Sequence, residues 1–517
     1  MKNKREMIRR VMSMMLMFAL IFSMAALSGC AADESRAAEN TAPASAENED
    51  IETFMAMLAA MNGVSDVSID EDGLITAMIE QPLDWAGGTD KTFKQMFTIE
   101  YAGADKPVCF CAGGYDISTC TSEMYLFPDN YEYNAVRMEY RFYGDSTPEG
   151  PSAASADMWE YLTVENAAED FHAIISLVRS LLPGKAVMTG VSKGGFTTNF
   201  QAYKYPLDAD LFILFCAPLC SSDSDSALYD FLNERIGNEE LGEEVAAEVR
   251  EVILDFQLEC MRYKDDLKKA YKELALELVE NGEDDYRPVL MEDDGAKFFD
   301  LAVADLKVAI WMMQGYNVGF GTAEGIKSVL GDIISMPADT AEEIKAKEDA
   351  LLDILASLSS PDSYSCSLEN VLFAYTVQTA MQMGNYAANL APLRERIAAE
   401  QAEDSTFPGL TISTDEEKTM LCSFYLTDEQ MEMAENFAFV YDEMVEWEKT
   451  AEADIIMVFC SCDPWYAAAI PECDKANIQR VVVKSGQDIS TVGHMYAVSA
   501  FDDESRELIY AALNELK

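Results

Sequence analysis

Residues 190–194 read Gly-Val-Ser-Lys-Gly and fit the pattern Gly-x-Ser-x-Gly. The preceding residues 185–189, Lys-Ala-Val-Met-Thr, predict a short buried strand, and residues 195–203 predict a helix. A serine in the sharp turn between strand and helix projects its hydroxyl above the sheet edge, and the glycines relieve crowding in that turn. This context makes Ser192 a candidate nucleophile; the alternative is an ordinary strand-to-helix turn.

The chain on either side of this turn alternates short apolar runs with helical patterns. Residues 67–79 alternate around Asp72-Gly73 and predict a hairpin. Further strands are predicted at residues 92–101, 107–112, 135–143, 211–216, 454–459 and 478–484, and helices at residues 164–182 and 502–516. This alternation predicts an α/β fold with a mainly parallel sheet covered by helices on both faces.

Residues 221–450 have a different pattern, in which long charged, helix-favouring stretches dominate and buried β-type runs are scarce. We interpret this segment as a large all-helical insertion, placed as a cap over the carboxyl edge of the sheet. The predicted core therefore has two parts, residues 51–220 and residues 451–517.

The first 30 residues predict an export signal, because a basic start is followed by the apolar residues 11–27 and then by Leu-Ser-Gly-Cys. That ending resembles a bacterial lipobox, which implies cleavage before Cys30 and its acylation; an uncleaved membrane anchor is the alternative. Residues 31–50 are charged and weakly hydrophobic, and predict a flexible tether. We therefore expect a protein held by a lipid anchor at the extracellular side of a bacterial cell membrane.

The composition excludes several kinds of partner. With 92 acidic and 37 basic residues the net charge is −55, so nucleic acid is not an expected partner. No Cys-x-x-Cys pair occurs and the chain has 2 histidines, so we expect no metal site, and nothing implies an organic cofactor. Without Cys30 the number of cysteines is odd, so disulfides and buried thiols are both open alternatives. The oligomeric state is open as well.

A serine nucleophile needs an adjacent base. His172 falls inside a predicted helix upstream of Ser192, where a surface or packing role is expected. His494 lies after the last predicted strand, in the loop where an α/β-hydrolase presents its base.

The acid that orients this base is expected at an earlier strand end. Asp463 follows the predicted strand 454–459 and precedes a proline, and the order Ser192, Asp463, His494 is that of the α/β-hydrolases. Asp474 and Asp488 are the alternatives.

Acyl transfer also needs donors aimed at the developing oxyanion. The backbone N–H of Lys193 is one candidate. The second is the backbone of Tyr115, after Gly113-Gly114, where paired glycines let the main chain approach a substrate closely. The alternative is an ordinary strand-to-loop turn.

Four segments carry a family resemblance. Residues 138–148, Met-Glu-Tyr-Arg-Phe-Tyr-Gly-Asp-Ser-Thr-Pro, resemble the Glu-His-Arg-Phe-Phe-Gly-Glu-Ser-x-Pro segment of exported serine aminopeptidases. The same similarity extends to residues 159–170, 183–195 and 462–465. Together they resemble the tripeptidyl-aminopeptidase family, peptidase family S37, a relative of the prolyl carboxypeptidase and dipeptidyl peptidase group.

This resemblance, over residues 90–220 and 450–500, implies an α/β-hydrolase with a helical cap that removes short peptides from free N-termini. By it, Ser192 matches the nucleophile, Asp463 the orienting acid and His494 the base. Two departures occur: Tyr140 stands where the family usually has histidine, which we expect to alter the substrate's N-terminal pocket, and the loop carrying the last histidine differs in composition.

An exopeptidase must bind the substrate ammonium, and a partly buried carboxylate suits that task. Glu139 is the candidate; an ion pair with Arg141 or Arg137 is the alternative. Trp159 and Trp465 are candidates for lining the pocket, with core packing as the alternative.

The sequence therefore predicts a membrane-tethered serine aminopeptidase that releases di- or tripeptides from peptide substrates. An esterase or lipase on the same scaffold is the first alternative, because a fold does not determine a substrate. A non-catalytic lipoprotein that captures peptides is the second.

Overall fold

A computed structural model describes residues 44–222, 225–280, 286–312, 320–368, 370–419, 422–484, 489, 493–494 and 497–517. The predicted export signal, the lipobox with Cys30 and the alternative acid Asp488 lie outside these described residues.

The core is a 9-stranded sheet with the order β1-β2-β3-β5-β4-β6-β7-β8-β9. The strands are β1 Val64–Ile69, β2 Leu74–Pro82, β3 Thr92–Glu100, β4 Val108–Ala112, β5 Asn134–Met138, β6 Ala186–Val191, β7 Leu211–Phe215, β8 Ile455–Cys460 and β9 Ile478–Val483. Pairing is antiparallel from β1 to β5 and parallel from β5 through β9. This mainly parallel sheet confirms the predicted α/β-hydrolase fold.

Burial explains which segments form the central strands. Every residue of β4, β7 and β8 is buried, as expected for apolar runs covered on both faces. The strand predicted at residues 135–143 is shorter than expected and ends at Met138. Phe142 and Gly144 have φ of 69° and 47°, so the chain leaves extended geometry there and turns back on itself.

The α-helices are numbered in chain order. They are α1 Ala44–Ala59, α2 Ser122–Leu126, α3 Val164–Leu181, α4 Lys193–Lys204, α5 Ala227–Glu234, α6 Asn238–Leu241, α7 Glu243–Arg262, α8 Lys264–Glu280, α9 Pro288–Met312, α10 Ala323–Ile334, α11 Ala341–Leu358, α12 Val371–Gln378, α13 Ala391–Glu403, α14 Thr414–Thr419, α15 Cys422–Tyr425, α16 Asp428–Ala434, α17 Tyr441–Glu448 and α18 Asp503–Asn514.

The prediction of a flexible tether over residues 31–50 is wrong for residues 44–50, because these residues form the first turns of helix α1. The alanine and glutamate residues of this stretch favour a helix. Phe54 and Leu58 are buried, and α1 packs against β1 and α3, so tertiary contacts extend order further toward the N-terminus than hydropathy indicates.

Between β7 and β8 the described residues form helices α5 to α17 and no β-strand. Helix α9 is interrupted at Glu292–Gly295, where Asp293 and Asp294 have left-handed φ of 49° and 59°. The helix packs against α7, α8 and the 3-10 turn Pro464–Ala468, so it extends from the cap to the sheet edge. Within the described ranges, no helix has the length and apolarity needed to cross a bilayer.

Candidate active site

Ser192 lies in a strained turn between β6 and α4, with φ 56° and ψ −122°. Residues other than glycine rarely adopt this conformation, which is concentrated at functional sites. The surrounding glycines make the turn possible. A Cβ on Gly190 would lie 2.2 Å from the Gly194 carbonyl oxygen, and a Cβ on Gly194 would lie 2.6 Å from that of Ala112. The observed turn therefore has the geometry expected from the Gly-x-Ser-x-Gly pattern.

Asp463 and His494 form a hydrogen-bonded pair. The Asp463 Oδ2 atom lies 2.9 Å from His494 Nδ1, while Oδ1 accepts the Trp465 N–H at 3.1 Å. The His494 N–H donates to the Met312 carbonyl at 3.2 Å, which ties the loop to the end of α9. A buried carboxylate in this position holds Nδ1 protonated, so that Nε2 is the basic nitrogen.

These three residues follow three strands of the parallel part of the sheet. Ser192 follows β6, Asp463 follows β8, and His494 follows β9 in the chain. The carboxyl ends of parallel strands meet at one edge, where ligands bind in open α/β sheets. The structure thus places the predicted nucleophile, acid and base at the same edge.

Cys216, directly after β7, is a further residue at this edge that the sequence did not single out. Its Sγ atom, a carboxylate oxygen of Asp463 and a ring nitrogen of His494 lie within 4.8 Å of one another, and in the described part of the chain this is the group of three that could hold a metal ion. A hydrogen bond with Cys460 and burial raise the pKa of the Cys216 thiol, which disfavours the thiolate that a metal requires. The donor set therefore fits an acid–base pair with a neighbouring thiol better than a metal site.

The loop after β4 lies directly against the serine turn. A Cβ on Gly114 would lie 2.7 Å from the Gly194 N and 2.9 Å from the Lys193 Cβ, so only glycine allows this approach. Lys193 begins α4, whose first N–H groups have no partner within the helix. Burial raises the pKa of the Tyr115 phenol and a hydrogen bond with Ser192 partly offsets that rise, so the side chain as well as the backbone of Tyr115 is near the serine.

The Lys193 side chain connects this loop to the serine turn. It is 1% exposed, and its Nζ donates to the Gly114 carbonyl at 2.5 Å. The ammonium lies 3.3 Å from the ring centroid of Tyr140, 5.0 Å from that of Tyr143 and 5.5 Å from that of Tyr115. Burial lowers the Lys193 pKa, while the three aromatic faces and the carbonyl favour the charged form. We call Lys193 and these three tyrosines the lysine cage.

Glu139 does not have the predicted contacts. Its side chain is 1% exposed; Oε1 accepts the Ile117 N–H at 2.9 Å, and Oε2 accepts the Ser146 N–H at 2.8 Å and its hydroxyl at 2.7 Å. Burial raises the Glu139 pKa to about 7, against the opposing effect of the Ser146 hydrogen bonds. The carboxylate joins two loops of its own chain, so the assignment to substrate ammonium is wrong.

The alternative expected for Glu139, an ion pair with arginine, is not observed either. Arg141 pairs with the buried Asp170 at 2.6 Å, and Arg137 pairs with Glu123 and Glu100 at 2.6 Å each.

Both predicted pocket tryptophans are buried, but their neighbours differ. Trp159 is 0% exposed, stacks on Phe142 at 5.3 Å and donates its indole N–H to the Ser152 carbonyl, so its assignment to the pocket is wrong and core packing explains it. Trp465 lies beside Asp463 and meets the Tyr386 ring edge-on at 5.4 Å. Its role in substrate binding stays a prediction.

Three further sequence expectations concern residues near this edge. Tyr140 is buried in the lysine cage and accepts a hydrogen bond from Gln378 of α12, so it contacts the cap rather than an open pocket. His172 lies on α3, where its ring pairs with Asp208 at 2.7 Å and stacks on that of Tyr205, which agrees with the expected surface or packing role. Asp474 is exposed.

The sequence profile of the PS-10 peptidase S37 family matches residues 46–398, which is more than half of the chain. The chain belongs to peptidase family S37. This confirms the resemblance drawn from the four segments, and the S37 match includes Ser192 and much of the cap.

Two characterised relatives are similar in sequence. The prolyl tri/tetrapeptidyl aminopeptidase of Streptomyces mobaraensis is 25% identical over 358 residues, which cover 69% of this chain and 65% of that protein. The lysosomal Pro-X carboxypeptidase of Bos taurus is 30% identical over 141 residues, covering 25% of this chain and 28% of that protein. The chain thus spans less than two thirds of the length of either relative.

Solved structures of α/β-hydrolases are also similar. The peroxisomal α/β-hydrolase Lpx1 of Saccharomyces cerevisiae has 10% identity and a TM-score of 0.31, with 88% of this chain and 90% of that one covered. Proline iminopeptidase of Mycobacterium smegmatis has 11% identity and a TM-score of 0.32, with 85% and 98% covered. At these TM-scores the similarity carries no information on activity.

Proposed function

We propose that this S37 member is a serine aminopeptidase that releases di- or tripeptides from the free N-termini of peptides. The observation that carries the proposal is the 2.9 Å contact between Asp463 Oδ2 and His494 Nδ1, at the sheet edge where Ser192 occupies its strained turn. An imidazole held in this tautomer is what a serine hydroxyl needs for activation. The name of the Streptomyces relative supports short peptides as products.

In the proposed reaction, Ser192 Oγ attacks the scissile carbonyl and His494 Nε2 takes the hydroxyl proton. The N–H of Lys193 and the backbone N–H of Tyr115 stabilise the oxyanion. The imidazolium then gives its proton to the leaving amine, which departs as the shortened peptide. Water gives a proton to His494 as it attacks the acyl-enzyme. The bond between the acyl carbon and Ser192 Oγ then breaks, the imidazolium returns its proton to Oγ, and the short peptide leaves as its carboxylic acid. Asp463 stabilises the imidazolium in both halves of the cycle.

Ser192→Ala tests the nucleophile. We expect hydrolysis of a tripeptidyl 4-nitroanilide to fall by at least about 1,000-fold, because the remaining donors and binding contacts cannot replace the nucleophile. The thermal midpoint should stay within a few degrees of wild type. Ser180→Ala is the matched control, since this serine lies on α3 with its hydroxyl bonded to the Leu177 carbonyl. Undiminished peptide hydrolysis in Ser192→Ala contradicts the assignment.

The substrate class is tested with three matched compounds: a peptide with a free N-terminus, its N-acetylated form and a short-chain ester. A loss of turnover on acetylation supports the aminopeptidase. A preference for the ester instead indicates an esterase, and failure of Ser192 to react with a fluorophosphonate indicates a binding protein. Full activity in excess EDTA is expected, because no step uses a metal.

The location is also a proposal: export, cleavage before Cys30 and tethering through an acyl chain on that residue. The basic and apolar order of residues 1–30 supports it. An alkynyl fatty acid fed to cells should label the wild-type protein and not Cys30→Ser; equal labelling of the two would contradict the anchor.

A further inference from the structure

Asp305 is a carboxylate of the cap that has no basic partner among the described residues. Tyr229 donates to Oδ1 at 3.2 Å and Tyr364 donates to Oδ2 at 3.0 Å. From Phe298 to Trp311 every other residue of α9 is buried, whereas Asp305 is partly exposed. Asp305 therefore borders accessible space between helices of the cap, which we call the recess.

Several buried acids of the sheet and cap have a base or backbone amides as partners. They include Glu123 with Arg137, Asp170 with Arg141, Asp208 with His172, Asp300 with Lys264, and Glu139 with two backbone N–H groups. Glu448 of α17 differs, since its side chain bonds to that of Asn199. A deeply placed carboxylate that receives only two phenol hydrogen bonds is costly, and a bound cation would compensate for it.

The surroundings of Asp305 are aromatic. Burial raises the pKa of Asp305 to about 6, and the tyrosine hydrogen bonds oppose that rise, so the group is mostly ionised at neutral pH. Its negative charge adds to burial in raising the pKa of the Tyr386 and Tyr425 phenols, so both rings lie within its field. Aromatic faces around a carboxylate favour an organic ammonium, which gains both an ion pair and cation–π contacts.

A continuous set of contacts leads from this recess to the candidate active site. The Tyr229 ring lies 5.8 Å from that of Tyr386, which meets Trp465 at 5.4 Å, and Trp465 donates its N–H to Asp463. Helix α9 also gives the axial distance between Asp305 and the residue that contacts His494. Met312, whose carbonyl holds the His494 N–H, follows Asp305 by about two helical turns, a rise of about 10 Å. Three extended peptide residues span about 10 Å.

We propose that Asp305 binds the N-terminal ammonium of the substrate and thereby sets the length of the released peptide at about three residues. This inference rests on the proposed aminopeptidase function and names the residue that gives it exopeptidase selectivity. The ammonium enters the recess between Tyr229, Tyr364 and Tyr386, and the third residue of the peptide then reaches Ser192.

The test is Asp305→Asn, which keeps the shape and one acceptor oxygen but removes the charge. We expect kcat/KM to fall by about 100-fold on a free tripeptidyl 4-nitroanilide. Turnover of the N-acetylated substrate and the rate of Ser192 labelling by a fluorophosphonate should match wild type. Digests of a long peptide should change from one product length to several. Asp294→Asn is the matched control, since this aspartate lies on the same helix and pairs with Lys272 at an exposed position.

If Asp305→Asn retains the wild-type ratio of free to acetylated substrate, the inference is overturned. If that variant does not fold, Tyr364→Phe decides: loss of its hydrogen bond should lower kcat/KM about 5-fold for the free substrate alone, and an unchanged ratio overturns the inference. A wild-type enzyme that makes no distinction between the two substrates overturns the proposed function itself, whereas a distinction that survives in Asp305→Asn overturns Asp305 alone.

Discussion

Replacing Asp463 by asparagine should invert the tautomer of His494 with little change in shape. Oδ1 of Asp463 accepts the Trp465 N–H at 3.1 Å, so the amide oxygen of the variant must stay at that position. The amide NH₂ then faces His494 Nδ1, which lies 2.9 Å from Oδ2 in the wild type. Nδ1 becomes an acceptor, the ring proton moves to Nε2, and that nitrogen can no longer take the Ser192 proton. We expect kcat to fall by about 10,000-fold, or about 5 kcal/mol of transition-state stabilisation.

The assay is the initial rate on a tripeptidyl 4-nitroanilide between pH 6 and pH 9, together with a thermal melt of each variant. Asp474→Asn is the matched control, because that aspartate is exposed on the loop before β9. KM should change little, since the substrate does not contact Asp463. A rate for Asp463→Asn within about tenfold of wild type, in a folded protein, would refute the tautomer argument.

Two further changes probe the groups that hold the site. Lys193→Met removes the charged hydrogen bond to Gly114, worth about 1.5–3 kcal/mol, so kcat should drop by about 10- to 100-fold at nearly constant KM. The control is Lys347→Met, which replaces a buried lysine of the cap whose Nζ donates to the Ile334 carbonyl. It should leave kcat within threefold in the same assay, and a loss equal to that of Lys193→Met would contradict a positioning role. Glu139 has a pKa of about 7, above its ordinary 4.5, so the folded protein holds a proton that the unfolded chain releases. The free energy of unfolding should therefore fall as pH rises from about 5 to about 7, and urea titrations of Glu139→Gln should show a shallower fall; identical slopes would contradict the shifted pKa.

The local part of the site could be predicted from sequence because its determinants lie close together in the chain. The strand, the glycines and the helix around Ser192 are contiguous, and their geometry requires small residues at Gly190 and Gly194. Asp463 and His494 were identified by their order after strands, since the carboxyl ends of parallel strands meet at one edge. This rule for parallel strands locates residues at the sheet edge without any knowledge of the contacts they make there.

The assignments that were wrong depend on contacts between distant segments. Glu139 accepts hydrogen bonds from Ser146 in its own segment and from the more distant Ile117, and nothing in residues 138–148 indicates that the loop with Ile117 closes over it. Trp159 was assigned to the pocket because tryptophans occur both in pockets and in cores.

Asp305 was not identified from the sequence, where it is one of two acids, with Asp300, in the apolar run of α9. Its partners Tyr229 and Tyr364 lie before and after that helix in the chain, at separations that periodicity cannot relate. Cys216, which lies beside the acid–base pair, was predicted from the sequence as the last residue of a strand, and its place at the site was not predicted.

The place of the cap in the chain has a consequence during synthesis. Because helices α5 to α17 lie between β7 and β8, the ribosome completes the segment with Ser192 well before it makes Asp463 and His494. The ribosome has also made strands β1 to β7 and the cap when the acid and base appear, and domains generally fold as units while a chain emerges. Until residue 494 has been made and lies beside Asp463, the nascent chain contains Ser192 without the base that would activate it.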